Sequence, residues 1–162
     1  MSFDAYLKID TIDGEATAKG HEKWIQILAF NHSLAQSGGG SYSGAGGQSG
    51  GRCDHGAFSI SKSLDKSSPK IALACCSGQH IKDITVHLCR ATGDKSQFME
   101  YKMSDVIVRS VVPSGSQGAE LPIEDVAFDY GKIEWTYTEY DHAGKKKGDI
   151  KTGWDVSKDT KV

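Results

Sequence analysis

Apolar and polar residues alternate along most of this chain, which is the pattern of half-buried β-strands. The alternation begins at once and places Phe3, Ala5, Leu7 and Ile9 on one face of a first strand. A polar loop follows over residues 10–23. Further strands are predicted over residues 24–34, 57–63, 84–89, 98–112, 123–140 and 149–156. The pattern therefore predicts seven or eight antiparallel strands, and strands of this length are typical of a barrel or a sandwich.

Two of these predicted strands carry further detail. In the run over residues 24–34 both faces are apolar, so both should be at least partly covered; one face carries Trp24, Leu28, Phe30 and Leu34, and the other carries Ile25, Ile27 and Ala29. In the run over residues 123–140 the alternation is interrupted at Gly131. A glycine inside a strand suggests a bulge or a barrel corner there.

The alternation changes to a helical period at only one place. Ser67-Ser68-Pro69 puts a capping hydroxyl before a proline at the first helical position. Residues 70–76 are good helix formers with Ile71, Ala74 and Cys75 on one face, and Gly78 supplies the expected stop. The pattern predicts one short helix whose apolar face lies on the sheet.

The segment from Ser37 to Gly51 is rich in glycine and serine. Eight of the fourteen positions from Gly38 to Gly51 are glycine. Such a stretch buries too little apolar surface to order itself. We therefore expect a flexible loop, or one ordered only by a partner, rather than a hairpin turn or a domain linker.

Composition narrows the class of protein. The 162 residues suit a single domain, with 38% apolar residues, 25% charged residues and a formal net charge of -2. This charge gives no basic footprint for nucleic acid. The N-terminus has no pattern of a signal peptide, and no apolar run approaches the length of a membrane span. We expect a protein made and folded in the cytoplasm, without membrane insertion, whose export would use a route that reads the folded chain.

Motifs for nucleophilic or phosphate chemistry are weak. Residues 47–51 match the pattern G-x-S-x-G around Ser49, but they lie inside the glycine-serine segment, where such a match arises by chance. The same segment lacks the lysine of a phosphate-binding loop, and the alternating strands and helices of a dinucleotide fold are absent from the pattern. We expect no enzyme activity and no cofactor.

Metal-binding and acid-base candidates are equally sparse. Cys53 with His55, and His87 with Cys89, are near-motifs without a matching second pair, so we expect no metal and four reduced, buried cysteines. The acidic residues of the later strands fall at alternating positions and are expected to face solvent: Asp105, Glu124, Asp125, Asp129, Glu134 and Glu139.

The order of these features resembles one family. The segments that carry the resemblance are Phe3–Ile9, Gly14-Glu15, Ser37–Gly40, Leu64–Pro69, Ala74–His80, Tyr130–Ile133 and Gly153–Asp155. They are similar, in order and spacing, to segments of the Hcp (haemolysin-coregulated protein) family, the tube proteins of type VI secretion systems in Gram-negative bacteria. The resemblance covers nearly the whole chain, and it rests on the combination rather than on one motif.

This resemblance implies a fold and a set of partners. The chain would form a single Hcp-like domain over residues 1–162, with two antiparallel sheets closed into a β-barrel and one short helix on its flank. Six copies would form a ring, and rings would stack into a phage tail tube-like tube that is secreted without a cleaved signal peptide. The implied partners are the chain itself, a spike protein, a contractile sheath, and effector proteins carried in the ring lumen.

Two groups of residues are candidates for these roles. The second strand lines the channel in the family, so Asn31 and Ser33 are candidates for lumen or effector contact. The extended loop over residues 36–52 is the candidate assembly loop, and the residues singled out there are Gln36, Gly38, Gly39, Gly40, Tyr42 and Arg52.

Three alternatives remain open at this point. A phage-like tail-tube protein would share the fold and differ in the machine. A small-ligand or carbohydrate-binding β-sandwich would use exposed tryptophans as stacking platforms, and Trp24, Trp135 and Trp154 are the candidates. A hydrolase would depend on Ser49.

Overall fold

The computed structural model describes residues 2–38 and 50–162. The described part is mainly β, with one helix, α1, over Ser68–Ser77. This confirms the predicted fold class. Its eleven strands are β1 Phe3–Ile9, β2 Ile25–Ile27, β3 Ala29–Asn31, β4 Leu34–Gly38, β5 Gly50–His55, β6 Phe58–Ser63, β7 Ile81–Arg90, β8 Gln97–Ser114, β9 Ile123–Tyr140, β10 Lys146–Asp155 and β11 Thr160–Lys161.

The strand ladders trace a circuit, and every ladder in the described residues is antiparallel. β1 pairs with β7 and β2, β7 pairs with β8, and β8 pairs with β9. β9 pairs with β6, and β6 pairs with β3. Because β2 and β3 are consecutive pieces of one run, separated only by Leu28, the circuit returns to β1 through the covalent chain. The sheet thus curves round a common core, as in a barrel.

The core lies inside this circuit and follows the predicted alternation. Strands β6 and β7 and the central parts of β8 and β9 send alternate side chains inward, whereas β10 is mostly exposed; α1 covers part of the sheet by lying against β8. The largest fully buried apolar side chains are Leu7, Ile25, Phe58, Ile60, Ile71, Ile84, Val86, Met103, Val106, Phe128 and Ile133.

The run over residues 24–34 is not one long strand, so that prediction was wrong. β2 pairs with β1 and β3 pairs with β6, and the chain changes partner at Leu28, whose N–H donates to the carbonyl oxygen of Ser61 at 2.7 Å. Leu28 itself is 57% exposed, whereas Ile25 and Ile27 are buried. Which face is buried depends on this change of partner. The local alternation of apolar and polar residues does not reveal such a change.

The helix forms where predicted but is capped differently. Ser67 stands at the N-cap in an αR conformation and makes no side-chain bond to the helix; its hydroxyl donates to Asp65 Oδ1 instead. Gly78 ends the helix in the left-handed conformation, with φ 64°, as predicted. Ile71 and Ala74 are buried, and Cys75 packs partly buried against the core.

Gly131 marks a corner and not a bulge. The β8–β9 register runs through it unchanged, and the register shift lies elsewhere, between Val108 and Ser110. On its other edge β9 pairs with β6 up to Phe128 and with β10 from Lys132 onward, so Gly131 lies where β9 exchanges partners. Of the two predicted alternatives at Gly131, a bulge or a corner, the corner therefore agrees with the change of partner.

A buried charged cluster joins β6, β9 and the start of α1. Lys62 is 0% exposed, and its Nζ lies 2.6 Å from Glu124 Oε1 and 3.0 Å from Asp65 Oδ1. The Ser68 hydroxyl accepts from Lys62 at 3.1 Å and donates to Glu124 Oε1 at 2.9 Å. Glu124 is 2% exposed, so the prediction that it faces solvent was wrong. Its burial is stabilised by a lysine 62 residues away.

Gly14 is required by a close backbone approach. Its N–H donates to the carbonyl oxygen of Lys23 at 2.7 Å, and a Cβ at this position would lie 2.4 Å from the carbonyl oxygen of Trp24 and 2.7 Å from Ile25 Cα. Because both contacts are with backbone, a side chain there would push the loop away from β2.

We expect Gly14→Ala to lower the free energy of unfolding by roughly 1–3 kcal/mol, the usual cost of overpacking. Urea unfolding followed by circular dichroism measures it. Gly148→Ala is the matched control, because a Cβ at Gly148 meets nothing within 4 Å. Equal stability of the two variants would contradict the steric explanation.

Candidate assembly surface

The glycine-rich segment is bracketed by a two-stranded ladder that we call the arm, residues 34–38 and 50–55. β4 and β5 pair with each other, from Leu34 opposite His55 to Gly38 opposite Gly50, and they form a sheet separate from the main one. The expectation of a loop without hairpin structure was thus wrong at its base. None of the arm side chains that the structure describes is buried, and Leu34 is 47% exposed.

The root of the arm is held by one tyrosine of β9. His32 precedes the arm and His55 ends it, and both imidazoles reach the same hydroxyl: His32 Nε2 lies 2.7 Å and His55 Nδ1 2.8 Å from Tyr130 Oη. Burial lowers the pKa of both histidines; His55 lowers that of His32 further, and Asp159 partly offsets the effect on His55. Burial above all, with smaller contributions from Cys53 and Asp129, raises the pKa of the Tyr130 hydroxyl far above its usual range. The hydroxyl therefore stays protonated, and both imidazoles favour the neutral form.

Aromatic rings of the core pack against the root of the arm. Phe30 stacks on Phe58 with 5.9 Å between ring centroids, and Tyr101 lies 5.2 Å from Phe58 in a tilted arrangement. His32 adds a tilted contact with Phe58 at 5.3 Å. The entry of the arm is therefore packed on the core, while its described strands extend beyond it.

The other side of the arm borders a cleft of about 420 Å³. Arg52 reaches from the arm to the segment after β10: its Nη2 donates to the carbonyl oxygen of Val156 at 3.1 Å, and its Nε lies 3.9 Å from Asp159 Oδ1. Both arginine and aspartate are largely exposed, so this ion pair contributes little to stability. The cleft is lined by Leu34, Gln36, Gly51, Cys53, His55, Trp135, Trp154 and Asp159.

The structure places the predicted site residues in different surroundings. Asn31 ends β3 opposite Ser59, and its side chain is exposed; Ser33 is also exposed and accepts the N–H of Gly56 on its carbonyl oxygen at 2.9 Å. Gln36, Gly38 and Arg52 lie on the arm, where the Gln36 side chain donates to the Gly51 carbonyl oxygen. Gly39, Gly40, Tyr42 and Ser49 lie outside the described residues.

Two unlike apolar patches lie near opposite ends of β9, and sequence reasoning missed both. The first patch consists of Leu28, Leu64, Leu121 and Ile123, with Leu121 69% exposed. The second patch consists of Phe3, Phe98 and Tyr137 around a cleft of about 580 Å³ that also contains Arg90. Ile123 and Tyr137 are 14 residues apart, roughly 45 Å of extended strand. The sequence contained a hint of both patches: Leu121 is an apolar residue in a polar loop, and Phe3 is an aromatic residue at the very start of a strand. Both positions are commonly exposed.

None of the three candidate tryptophans is fully exposed, although Trp135 and Trp154 line the cleft beside the arm. Trp135 and Trp154 are partly buried against the core. Trp24 packs between His21, at 4.7 Å, and His87, at 4.5 Å. These positions do not favour an exposed stacking platform. In residues 2–38 and 50–162 the structure shows no group of three or more His, Cys, Asp or Glu side chains that could hold a metal ion.

The four cysteines are all free, but only one is buried as predicted. Burial, the largest cause, raises the pKa of Cys89 to about 11, so its thiol stays protonated. Cys53 and Cys75 are half-buried and Cys76 is exposed. The prediction of four buried cysteines was wrong for these three.

Within the described residues, no helix has the length and apolar character needed to cross a bilayer.

Comparison with known proteins agrees with the fold and with the resemblance seen in the sequence. The family model described as "Type VI secretion system effector, Hcp" matches residues 6–137. Protein hcp1 of Pseudomonas aeruginosa is 29% identical over 158 residues, which is 96% of each chain, and the Major exported protein of the same species is 27% identical over 76% of this chain and 74% of its own. A solved structure described as a type six secretion system protein superposes with a TM-score of 0.94 at 33% identity, over 99% of this chain and all of its own. The chain therefore belongs to the Hcp family, the tube and effector-carrier proteins of type VI secretion systems.

Proposed function

We propose that this protein is a structural subunit of a type VI secretion tube and not an enzyme. Copies of the single domain over residues 1–162 assemble into hexameric rings, and the rings stack into a tube that is exported. Family membership supports the role in secretion. The observation that carries the assembly step is the arm, a ladder in which none of the described side chains is buried.

An arm of this kind implies a neighbour. An isolated two-stranded hairpin is marginally stable at best in water, and it gains stability when a face is covered. The arm exposes Leu34 on one strand and Arg52 on the other, and it is tied to the rest of the chain by the histidines at its root and by the exposed Arg52 contacts with Val156 and Asp159. A second copy of the chain that covers the arm would supply the missing burial. Such contacts between identical subunits are head-to-tail and need two different surfaces.

The two apolar patches support stacking of rings. They lie near opposite ends of β9 and differ in chemistry: the first has aliphatic side chains beside Glu15 and Asp65, and the second has aromatic side chains beside Arg90. Unlike surfaces at opposite ends fit repeated head-to-tail contact, which builds a tube rather than a closed dimer.

The remaining roles are assigned by the family resemblance. Asn31 and Ser33, both exposed, are proposed to contact effectors in the ring lumen. Residues 36–52, including Gln36, Gly38, Gly39, Gly40, Tyr42 and Arg52, are proposed to contact a neighbouring subunit. A spike protein, a contractile sheath and effectors are the proposed partners. A relative bears the name Major exported protein, which supports export; export without a cleaved signal peptide is part of the proposal.

Native mass spectrometry tests the ring directly. We expect a dominant species with six times the mass of the 17.5 kDa chain, and higher multiples of that species as concentration rises. The reason is that the arm and both patches are covered only in the assembly. A strict monomer at every concentration would overturn the proposal. Leu73→Lys is a suitable control, because Leu73 is exposed on α1 and belongs to neither the arm nor the two patches.

A further inference from the structure

The two ends of the arm are fastened to the core through one hydroxyl group. His32 lies just before β4 and His55 is the last residue of β5, so the two histidines stand at the entry and the exit of the arm. Both imidazoles reach Tyr130 Oη, at 2.7 and 2.8 Å. Tyr130 belongs to β9 and lies next to Gly131, where β9 changes its pairing partner from β6 to β10. We call this group, His32, Tyr130 and His55, the latch.

The latch is sensitive to the number of protons it holds. A phenol hydroxyl has one proton to donate and two lone pairs that accept. With neutral imidazoles, one ring donates N–H to the oxygen while the other accepts the hydroxyl proton, so both bonds form. A first added proton is tolerated, because the ring that already donates can carry it on its other nitrogen. A second makes both facing nitrogens donors, which leaves the Tyr130 proton without an acceptor and places two positive charges against one oxygen.

The surroundings do not compensate two positive charges. On the arm, Cys53 lies near the Tyr130 hydroxyl, and the adjacent Arg52 is itself positive. Two carboxylates are near the latch: Asp129 on β9 and Asp159 in the turn before β11. Asp159 also lies 3.9 Å from Arg52. From β8 comes the ring of Tyr101, 6.4 Å from His32. The carboxylates lie at the exposed rim, while the histidine rings lie against aromatic side chains.

We propose that the latch is a pH-dependent fastening of the arm, closed near neutral pH and opened when both histidines become protonated. In the closed state the neutral rings are favoured, since burial lowers the pKa of both. A histidine whose pKa is lower in the closed state binds fewer protons there than in the open state. The closed state is therefore fully favoured above the ordinary imidazole pKa of about 6.5 and loses stability as pH falls below it. Acidification releases the arm and, with it, the neighbouring subunit; that second consequence rests on the function proposed above.

A second histidine pair provides an internal control. His21 Nε2 lies 2.9 Å from His87 Nδ1, and the other nitrogen of His87 lies 2.7 Å from Glu100 Oε2. This pair belongs to the β1–β7 side of the sheet, where His21 also stacks on Tyr6 at 4.6 Å. It also contains two histidines, but they contact each other directly and touch no arm residue that the structure describes. A general effect of acid on histidines would act on both pairs, whereas the latch acts only on the arm.

Hydrogen exchange at the arm root tests the latch. The Gly56 N–H donates to the Ser33 carbonyl oxygen at 2.9 Å and reports whether the two ends of the arm stay together. We expect its protection, corrected for the intrinsic exchange rate, to fall at least about tenfold from pH 7.5 to pH 5.0. The β7–β8 ladder should keep its protection. His32→Gln with His55→Gln should abolish the fall, because glutamine can donate and accept but does not titrate. His87→Gln should leave the fall unchanged.

The outcomes separate this inference from the proposed function. The latch is wrong if wild-type protection at Gly56 is the same at both pH values, or if the double glutamine variant shows the same fall. Tyr130→Phe provides a further check, since loss of the hydroxyl should leave the root weakly protected at both pH values. Native mass at pH 7.5 and 5.0 is read separately. A latch that opens while the six-subunit mass persists supports the latch and contradicts the role of the arm in the ring.

Discussion

Replacing Lys62 by methionine should lower the free energy of unfolding by about 3–5 kcal/mol, because it leaves a buried carboxylate without its positive partner. Glu124 is 2% exposed and lies 2.6 Å from Lys62 Nζ. Asp65, only partly exposed, loses its partner at 3.0 Å as well. Urea unfolding followed by circular dichroism, at one fixed protein concentration, measures the loss.

Two comparisons give this prediction its meaning. Combining Lys62→Met with Glu124→Leu should recover most of the lost stability, because a well-packed apolar pair replaces a buried ion pair at little cost. Lys147→Met is the matched control: Lys147 pairs with Glu139 at 3.5 Å in an exposed position, and its loss should cost less than about 1 kcal/mol. If Lys62→Met costs no more than Lys147→Met, the buried cluster does not hold β6, β9 and α1 together as described.

Shortening the arm should abolish the six-subunit ring while leaving the subunit folded. In this variant residues 37–52 are replaced by Asn-Gly, which joins Gln36 to Cys53, a pair that already faces across the ladder. Asn-Gly is the preferred two-residue hairpin turn. The stability of the subunit should change by no more than about 1 kcal/mol, because the change removes no buried side chain that the structure describes and breaks only the exposed Arg52 contacts. Analytical ultracentrifugation measures the oligomer, and we expect association at least a hundredfold weaker.

The control for the arm is a second shortened hairpin. Residues 141–145 connect β9 to β10, and Asn-Gly in their place joins Tyr140 to Lys146, which also face each other. This variant should retain the six-subunit ring, because that turn lies apart from the arm. A ring that survives arm shortening but not this control would place the subunit interface at the β9–β10 end instead.

The alternating pattern was a sound guide to most of the fold. It located the long strands, because a strand with one face in the core must present an apolar side chain at every second position. It also placed Lys62 on the same face as Phe58 and Ile60, and all three are buried. The same alternation puts Glu124 on the face of Val126 and Phe128, but its charge favoured a position in solvent; its burial depends on Lys62, a partner 62 residues away that the pattern does not identify.

The candidate site was only partly accessible from sequence. The glycine content located the segment that the arm strands flank. The latch was not visible, because His32, His55 and Tyr130 are separated by up to 98 residues and none of them forms a motif. Sequence spacing reports contacts within one strand or helix, whereas these three meet only through strand pairing.

The glycine-rich segment and the period-two alternation were thus determined by the sequence itself: conformational freedom and strand amphipathicity are local properties of the chain. The partner exchange at Leu28 and Gly131, the burial of Glu124 and the convergence of two histidines on Tyr130 were decided by tertiary structure. The physical reason is that a charge or a hydrogen bond acquires its stability from the groups that face it. In this protein those groups come from strands far apart in the chain.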